Sequence, residues 1–344
     1  MCVEDAQNGL TLKFNWSNWV FLLFMNALPS ISAQIDEKII FKTLRKNYTY
    51  LAPSFISLIS NWLVNSYKNY NDIDKYTIII YLVSKDLFFY RKNGINIDYN
   101  AFYKERTLEI EKINISDISK DLEIPKESVR RKVAELEKIG VIKKLGKKMF
   151  LNRSAFHAVQ AKTTLSDLCT LLYEFNKILK KDKLTHNIFT VNQINKSIKD
   201  NFTFCWHHFY KFIFIYLKRW KKELKDLETF CIGMVLVVSA AHNKEFKTSK
   251  STMKSWREEI MGSDTRGVNA MSISEITGIP RPTVVRKLKW LIEKKILKIN
   301  EKKLISFDVK DKAFKRSAQI QEKNMLSLSY LIHRLFNQIK VINS

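Results

Sequence analysis

Apolar side chains recur at helical spacing along most of the chain. Phe55, Leu58, Ile59, Trp62 and Leu63 share one face of a helix predicted between Pro53 and Tyr67. Ile73 to Val83 is an apolar run, too short to cross a bilayer and suited to a buried helix. Leu165, Leu168, Leu172, Phe175 and Ile178 predict a further helix within Ser154 to Lys181. The second half follows the same plan. Trp206 to Trp220 reads as an aromatic-rich helix and Phe230 to Ala241 as a buried one. A closing helix from Ser317 to Ile339 carries Leu326, Leu328, Leu331, Leu335 and Ile339. Polar stretches separate these elements: Lys85 to Lys112 with a turn at Asn93-Gly94, Lys183 to Asp200, and Lys244 to Gly267. The middle one is the predicted boundary, giving domains over residues 51–183 and 200–344. Residues 1–50 form an extension. Its apolar core, Trp19 to Met25, is broken by Asn26 and Pro29, and Glu4 and Asp5 make its start acidic. That argues against a signal peptide or a membrane span. It reads as a helix packed on the first domain, or as a stretch ahead of a translation start at Met25.

A finer pattern recurs inside each half. Ile118-Ser119 opens a short apolar-periodic segment and Ile124-Pro125 marks a turn. Ser128 to Leu136 is a helix with Val129, Val133 and Leu136 on one face. Gly140-Val141-Ile142 ends it and begins a strand, and Gly146-Lys147-Lys148 reads as a hairpin tip. At a constant offset of 155 positions (279 − 124), Ile273-Ser274, Ile279-Pro280, Val284, Arg286-Lys287, Leu291, Lys298 and Lys302-Lys303 repeat their counterparts. The apolar helices ahead of them align at the same offset, Ile80 with Val235 and Ser84 with Ser239. The expected repeat unit is therefore a whole domain, not a short solenoid repeat.

This order of helix, Ile-Pro turn, helix, Gly-Val-Ile and basic hairpin resembles a winged helix–turn–helix. Val129 to Leu136, with Glu137 and Gly140-Val141-Ile142, is similar to MarR-type transcription regulators. Ile279-Pro280-Arg281-Pro282-Thr283-Val284 resembles the corresponding turn of IclR-type regulators. The second copy departs from the pattern in carrying Lys295 where the first has Gly140. The resemblance implies a mainly α fold with small β-wings, in two tandem winged-helix domains related by the 155-residue repeat.

Charge strengthens the expectation of a polyanionic partner. The net charge is +25 and the isoelectric point about 9.7. A chain rich in Lys, Ile and Asn can also owe its charge to an AT-rich gene, but the placement is uneven. Residues 126–148 carry nine Lys/Arg and three Glu, and residues 281–303 nine and two. These stretches hold +6 and +7, or 13 of the 25 excess charges. Cys2, Cys169, Cys205 and Cys231 show no CxxC spacing and read as free thiols in a reducing compartment.

A helix entering a major groove buries one face and offers the other. With Val129 at the centre of the buried face and about 100° per residue, Glu127, Arg131 and Ala134 point outward, with Ser128 and Arg130 at the sides. The matching set is Pro282, Arg286 and Lys289, flanked by Thr283 and Val285. Arg131 and Arg286 share one outward place, where Arg can grip guanine O6 and N7 or meet only phosphate. Ser128 and Thr283, near the helix starts, suit capping or phosphate contact. Lys126 and Arg281 precede them. Lys147, Lys148, Lys302 and Lys303 stand at the expected wing tips, where they meet the DNA backbone or minor groove or are simply solvated.

Other chemistry is poorly represented. Neighbouring His207 and His208 diverge on a helix, and neither has a metal-ligating residue three or four positions on. Phe209, Phe212, Phe214, Tyr216 and Trp220 read as core or seam before a ligand box. No Walker, GxGxxG, GxSxG or HExxH motif is present, and eight glycines leave little room for phosphate-cradling loops. The expected molecule is a cytoplasmic, non-enzymatic, cofactor-free and metal-free regulator. It would bind double-stranded DNA in a sequence-specific manner as a single-chain pseudo-dimer, with a possible small-molecule effector. The alternatives are a plasmid- or phage-type replication initiator and a winged-helix docking scaffold.

Overall fold

A computed structural model describes residues 34–152, 162–242, 253–261, 268–301, 305–308 and 312–343. The apolar stretch at Trp19 to Met25, much of the polar connector from Lys244 to Gly267, and both Lys302 and Lys303 lie outside the described residues. The chain is mostly helical, with two small antiparallel sheets.

The first half opens with α1 (Glu37–Lys46), whose N-cap Asp36 accepts a hydrogen bond from the Lys38 N–H at 2.8 Å. Next come α2 (Tyr48–Tyr70) and α3 (Ile73–Lys92). Asn71 in the left-handed region ends α2, and the Asp72 carboxylate caps α3 by accepting from the Lys75 N–H. The predicted helix at Pro53 to Tyr67 is the middle of α2. The polar stretch after Val83 continues α3 and then forms α4 (Tyr99–Lys104) and β1 (Thr107–Ile110), neither of which the pattern announces. Then follow α5 (Ile115–Leu122), α6 (Lys126–Lys138), β2 (Ile142–Leu145), β3 (Lys148–Asn152) and α7 (Lys162–Lys181). β3 lies between β1 and β2, with Leu108 facing Leu151 and Leu145 facing Lys148.

The second half holds α8 (Val191–Asp200), α9 (Phe202–Leu224), α10 (Leu227–His242), α11 (Met253–Met261), α12 (Ala270–Thr277), α13 (Arg281–Glu293), β4 (Leu297–Ile299), β5 (Ile305–Phe307) and α14 (Lys312–Ile342). The polar boundary at Lys183 to Asp200 is thus not plain linker. It contains α8, set by a Thr190/Gln193 capping box and anchored by buried Ile194 and Ile198.

Helices from the two halves interleave. α2 packs against α7 of its own half and α10 of the other, while α9 packs against α14 of its own and α3 of the other. α8 lies on α7, and α1 lies chiefly on α14, at the far end of the sequence. There the Ile35 N–H donates to Asn337 Oδ1 at 2.9 Å, and Asn337 Nδ2 donates back to the Ile35 carbonyl at 3.0 Å. Trp206, Tyr210, Phe175, Phe202, Phe209 and Phe336 are the largest fully buried side chains. Most aromatic residues of α9 are therefore core, with Phe204, Phe214 and Trp220 half-buried against it. Phe55 and Tyr216 meet edge-on at 5.8 Å between ring centroids, joining α2 to α9.

Candidate nucleic-acid interface

Two units, each a short helix, a tight turn and a longer helix, lie on this helical body, the first beside a three-stranded sheet and the second beside a two-stranded one. In the first, α5 ends at Glu123 in the left-handed region (φ 51°), Ile124 is buried, and α6 starts after Pro125. In the second, α12 ends at left-handed Gly278 (φ 76°), Ile279 is buried, and α13 starts after Pro280. A side-chain bond fixes each turn. Ser119 Oγ donates to the Ile124 carbonyl, and Ser274 Oγ to the Ile279 carbonyl, both at 2.7 Å. These serines and isoleucines belong to the repeated pattern, so the local cause of each turn is visible. Val129, Val133 and Leu136 bury one face of α6, and Val284, Leu288 and Leu291 the same face of α13.

The opposite faces are open. Lys126, Glu127, Arg130, Arg131 and Ala134 are exposed on α6, and Arg281, Pro282, Arg286 and Lys289 on α13. Ser128, Thr283 and Val285 are half-buried at the sides. Ser128 and Thr283 do not cap their helices. Both helices begin earlier than the apolar pattern suggests, with Pro125 and Pro280 as N-caps, which puts the two hydroxyl residues at the third helical position. The faces differ in charge balance. Glu127 accepts from Arg130 Nη1 at 2.6 and 2.7 Å, and Glu135 lies 3.8 Å from Arg131 Nε. Arg281, Arg286 and Lys289 have no acidic partner among the described residues.

The hairpin after α6 places the candidate wing lysines differently from each other. Gly146 (φ 60°) and Lys147 make the two-residue tip. Lys148 is the first residue of β3, and its Nζ donates to Glu109 Oε2 of β1 at 3.0 Å. Lys147 is the tip residue; Lys148 is not.

The sequence pattern misses one pair of side chains. Lys132 and Lys287 repeat at the 155-residue offset, yet each is buried at 8% exposure beneath its helix. Lys132 Nζ pairs with Asp72, and Lys287 Nζ with Asp226 at 2.6 Å. The signal was present. A lysine three positions from the central buried valine falls beside the apolar face and needs an acid there. Burial pushes the Asp226 carboxyl up, but hydrogen bonds from Lys287 and Thr229 outweigh it and hold the group below its ordinary value.

A cavity of about 100 Å³ lies beneath the second unit, lined by Tyr216, Trp220, Gly233, Arg257 and Leu291 among others. His207 and His208 are buried, with Arg91 Nη1 donating to His207 Nε2 at 3.0 Å. No group of three or more His, Cys, Asp or Glu side chains among the described residues is placed to hold a metal. Cys169, Cys205 and Cys231 are free and buried, and burial pushes the Cys169 and Cys231 thiols up to about 12. No helix among the described residues is long and apolar enough to cross a membrane. Compared with protein families, curated proteins and solved structures, the chain matches none.

Proposed function

We propose that the chain binds double-stranded DNA in a sequence-specific manner, as a cytoplasmic transcription regulator. In this reading its halves are tandem winged-helix units of MarR-like kind, acting as a pseudo-dimer in one chain. Matched construction supports the duplication. α1 and α8 are each 10 residues long, α2 and α9 each 23, α5 and α12 each 8, and α6 and α13 each 13. The interleaved packing has the same exchange in both directions, as a two-fold arrangement requires. The observation that carries the DNA reading is the pairing of Arg131 with Arg286. They stand at the same place on the open faces of two helices that are otherwise built alike. Affinity would come from Lys and Arg on phosphate, and specificity from the side chains around those two arginines. A small apolar effector in the cavity beneath α13 would act directly on that helix.

Selection of bound sequences from a random duplex pool tests the reading. A consensus should emerge, and its affinity should fall with salt at about 0.9 log units per phosphate neutralised, for about six to ten contacts. Absence of binding at about 50 mM salt, or binding that salt hardly alters, would instead support a docking scaffold.

A further inference from the structure

The two buried lysines lead to a common centre. Lys132 reaches from α6 to Asp72, the N-cap of α3, and lies 3.9 Å from Asp74. Lys287 reaches from α13 to Asp226, just ahead of α10, lies 3.3 Å from Glu228 and donates to Thr229 Oγ1 at 3.3 Å. The Asp226 carboxylate also accepts from the Thr229 N–H at 2.7 Å, so one side chain holds the helix start and the lysine together. Helices α3 and α10 touch, and Asp72 and Asp74 both act electrostatically on Glu228. Tyr67 of α2 feels Glu228 and Asp72 alike. From α9, Lys221 bridges to Asp74 at 3.1 Å and donates to the Leu122 carbonyl at the end of α5 at 3.4 Å.

Apolar residues at positions 132 and 287 would pack with less desolvation cost, since a buried ion pair is weak as a source of stability. What such a pair does provide is directional geometry. Here the same geometry occurs twice and ends at the same centre. We propose that Lys132 and Lys287 are positioning residues that fix the separation and tilt of α6 and α13 through this shared acidic centre. The chain then accepts two DNA half-sites at one spacing only. The DNA part of the statement rests on the function proposed above; the fixed geometry does not.

Two measurements test it. One inserted base pair moves a half-site by about 3.4 Å and turns it by about 34°. On duplexes with one base pair added or removed between the selected halves, the wild type should bind about tenfold more weakly. Lys132→Met and Lys287→Met should shrink that penalty to about threefold or less. Independently of DNA, spin labels at Ala134→Cys and Lys289→Cys, with Cys2→Ser, should give one narrow distance in the parent chain and a broadened one in the Met variants. Should those variants fail to fold, Asp74→Asn combined with Glu228→Gln leaves both capping aspartates in place and should broaden the distance too. A folded variant with the parent's narrow distance and the parent's spacing penalty overturns the proposal. If the wild type binds no duplex, the DNA reading fails, and the label distances still decide whether the lysines hold the geometry.

Discussion

At the scale of single residues, buried polar groups decide how the fold responds to conditions. His207 and His208 are both less than one-tenth exposed. The His207 ring accepts from Arg91, so it sits in its neutral form. Burial first, then Arg91 and Lys211, holds His207 down at about 4. Burial, then Arg91 and the neighbouring ring, holds His208 down at about 3. An unfolded histidine titrates near 6.5. Between those values the unfolded chain takes up protons that the folded chain refuses, so stability drops as pH falls through this window. Glu228 works in the opposite sense, because burial raises its carboxyl and the folded state then protonates first. With two depressed histidines set against Glu228, the net slope should follow the histidines. We expect a loss of about 2 kcal/mol or more between pH 6.5 and 4.5 in urea unfolding, reduced by about half in His207→Gln because His208 still titrates. An equally flat profile in both proteins would show that the ring is not held neutral. A second test at this scale concerns Lys295, which adopts the left-handed conformation (φ 55°) that Gly140 adopts (φ 75°) after the matching helix. That conformation is costly for a residue with a Cβ, so Lys295→Gly should stabilise by about 0.5–1 kcal/mol in thermal melts.

At the scale of elements, the parts legible in the sequence are those whose cause is local. The long helices announce themselves through repeated apolar spacing, and the turns through Ile-Pro preceded by a serine. Elements that owe their form to distant partners do not. β1 is four residues with only Leu108 and Ile110 buried, and it exists because β3 arrives beside it. α8 is intermediate. Its capping residues Thr190 and Gln193 and its Ile194/Ile198 pair are readable, yet the lysines and asparagines around them suggest a linker. The exchange of helices between halves has no local signature, because an apolar face does not name its partner. The outward faces of α6 and α13 are legible from the helical period alone, whereas the burial of Lys132 and Lys287 is not, because the acids that pair with them come from distant segments. One element carries a clear weakness. Gly233 lies inside α10, and a Cβ built there meets nothing within 4 Å. The position that matches it in the first half, Ile78 of α3, is fully buried. Gly233→Ala should therefore stabilise the chain by about 1 kcal/mol, measured by denaturant unfolding. A destabilised variant would mean that the space is needed in another state of the protein.

At the scale of the whole molecule, α6 and α13 bury matching faces and present different residues around one shared arginine. Arg131 and Arg286 occupy the same place, so both half-sites should share a base at that contact, guanine being the best match. Around them the faces diverge. α6 offers Glu127, Arg130 and Ala134, with Arg130 held by Glu127, while α13 offers Pro282, Val285 and Lys289. A glutamate accepts from cytosine N4, and alanine or valine meets a thymine methyl, so under the proposed function the two sets should read different bases. Because the outward Arg281, Arg286 and Lys289 of α13 have no acid beside them among the described residues, its half-site should also contribute more of the phosphate affinity. Identical subunits impose a palindrome on their operator, since site symmetry mirrors protein symmetry. Two diverged units in one chain are free of that constraint. The expected target is an asymmetric bipartite site with one shared base and different flanks. Arg131→Ala should relax one half alone and Arg286→Ala the other, each at about 1–3 kcal/mol, whereas Lys147→Ala should weaken binding to all duplexes without changing the preferred sequence. Selection from a random duplex pool with each variant reads all three outcomes at once. A perfect palindrome, or relaxation of the same half by both arginine variants, would replace the single-chain pseudo-dimer with two chains that each read DNA through one unit.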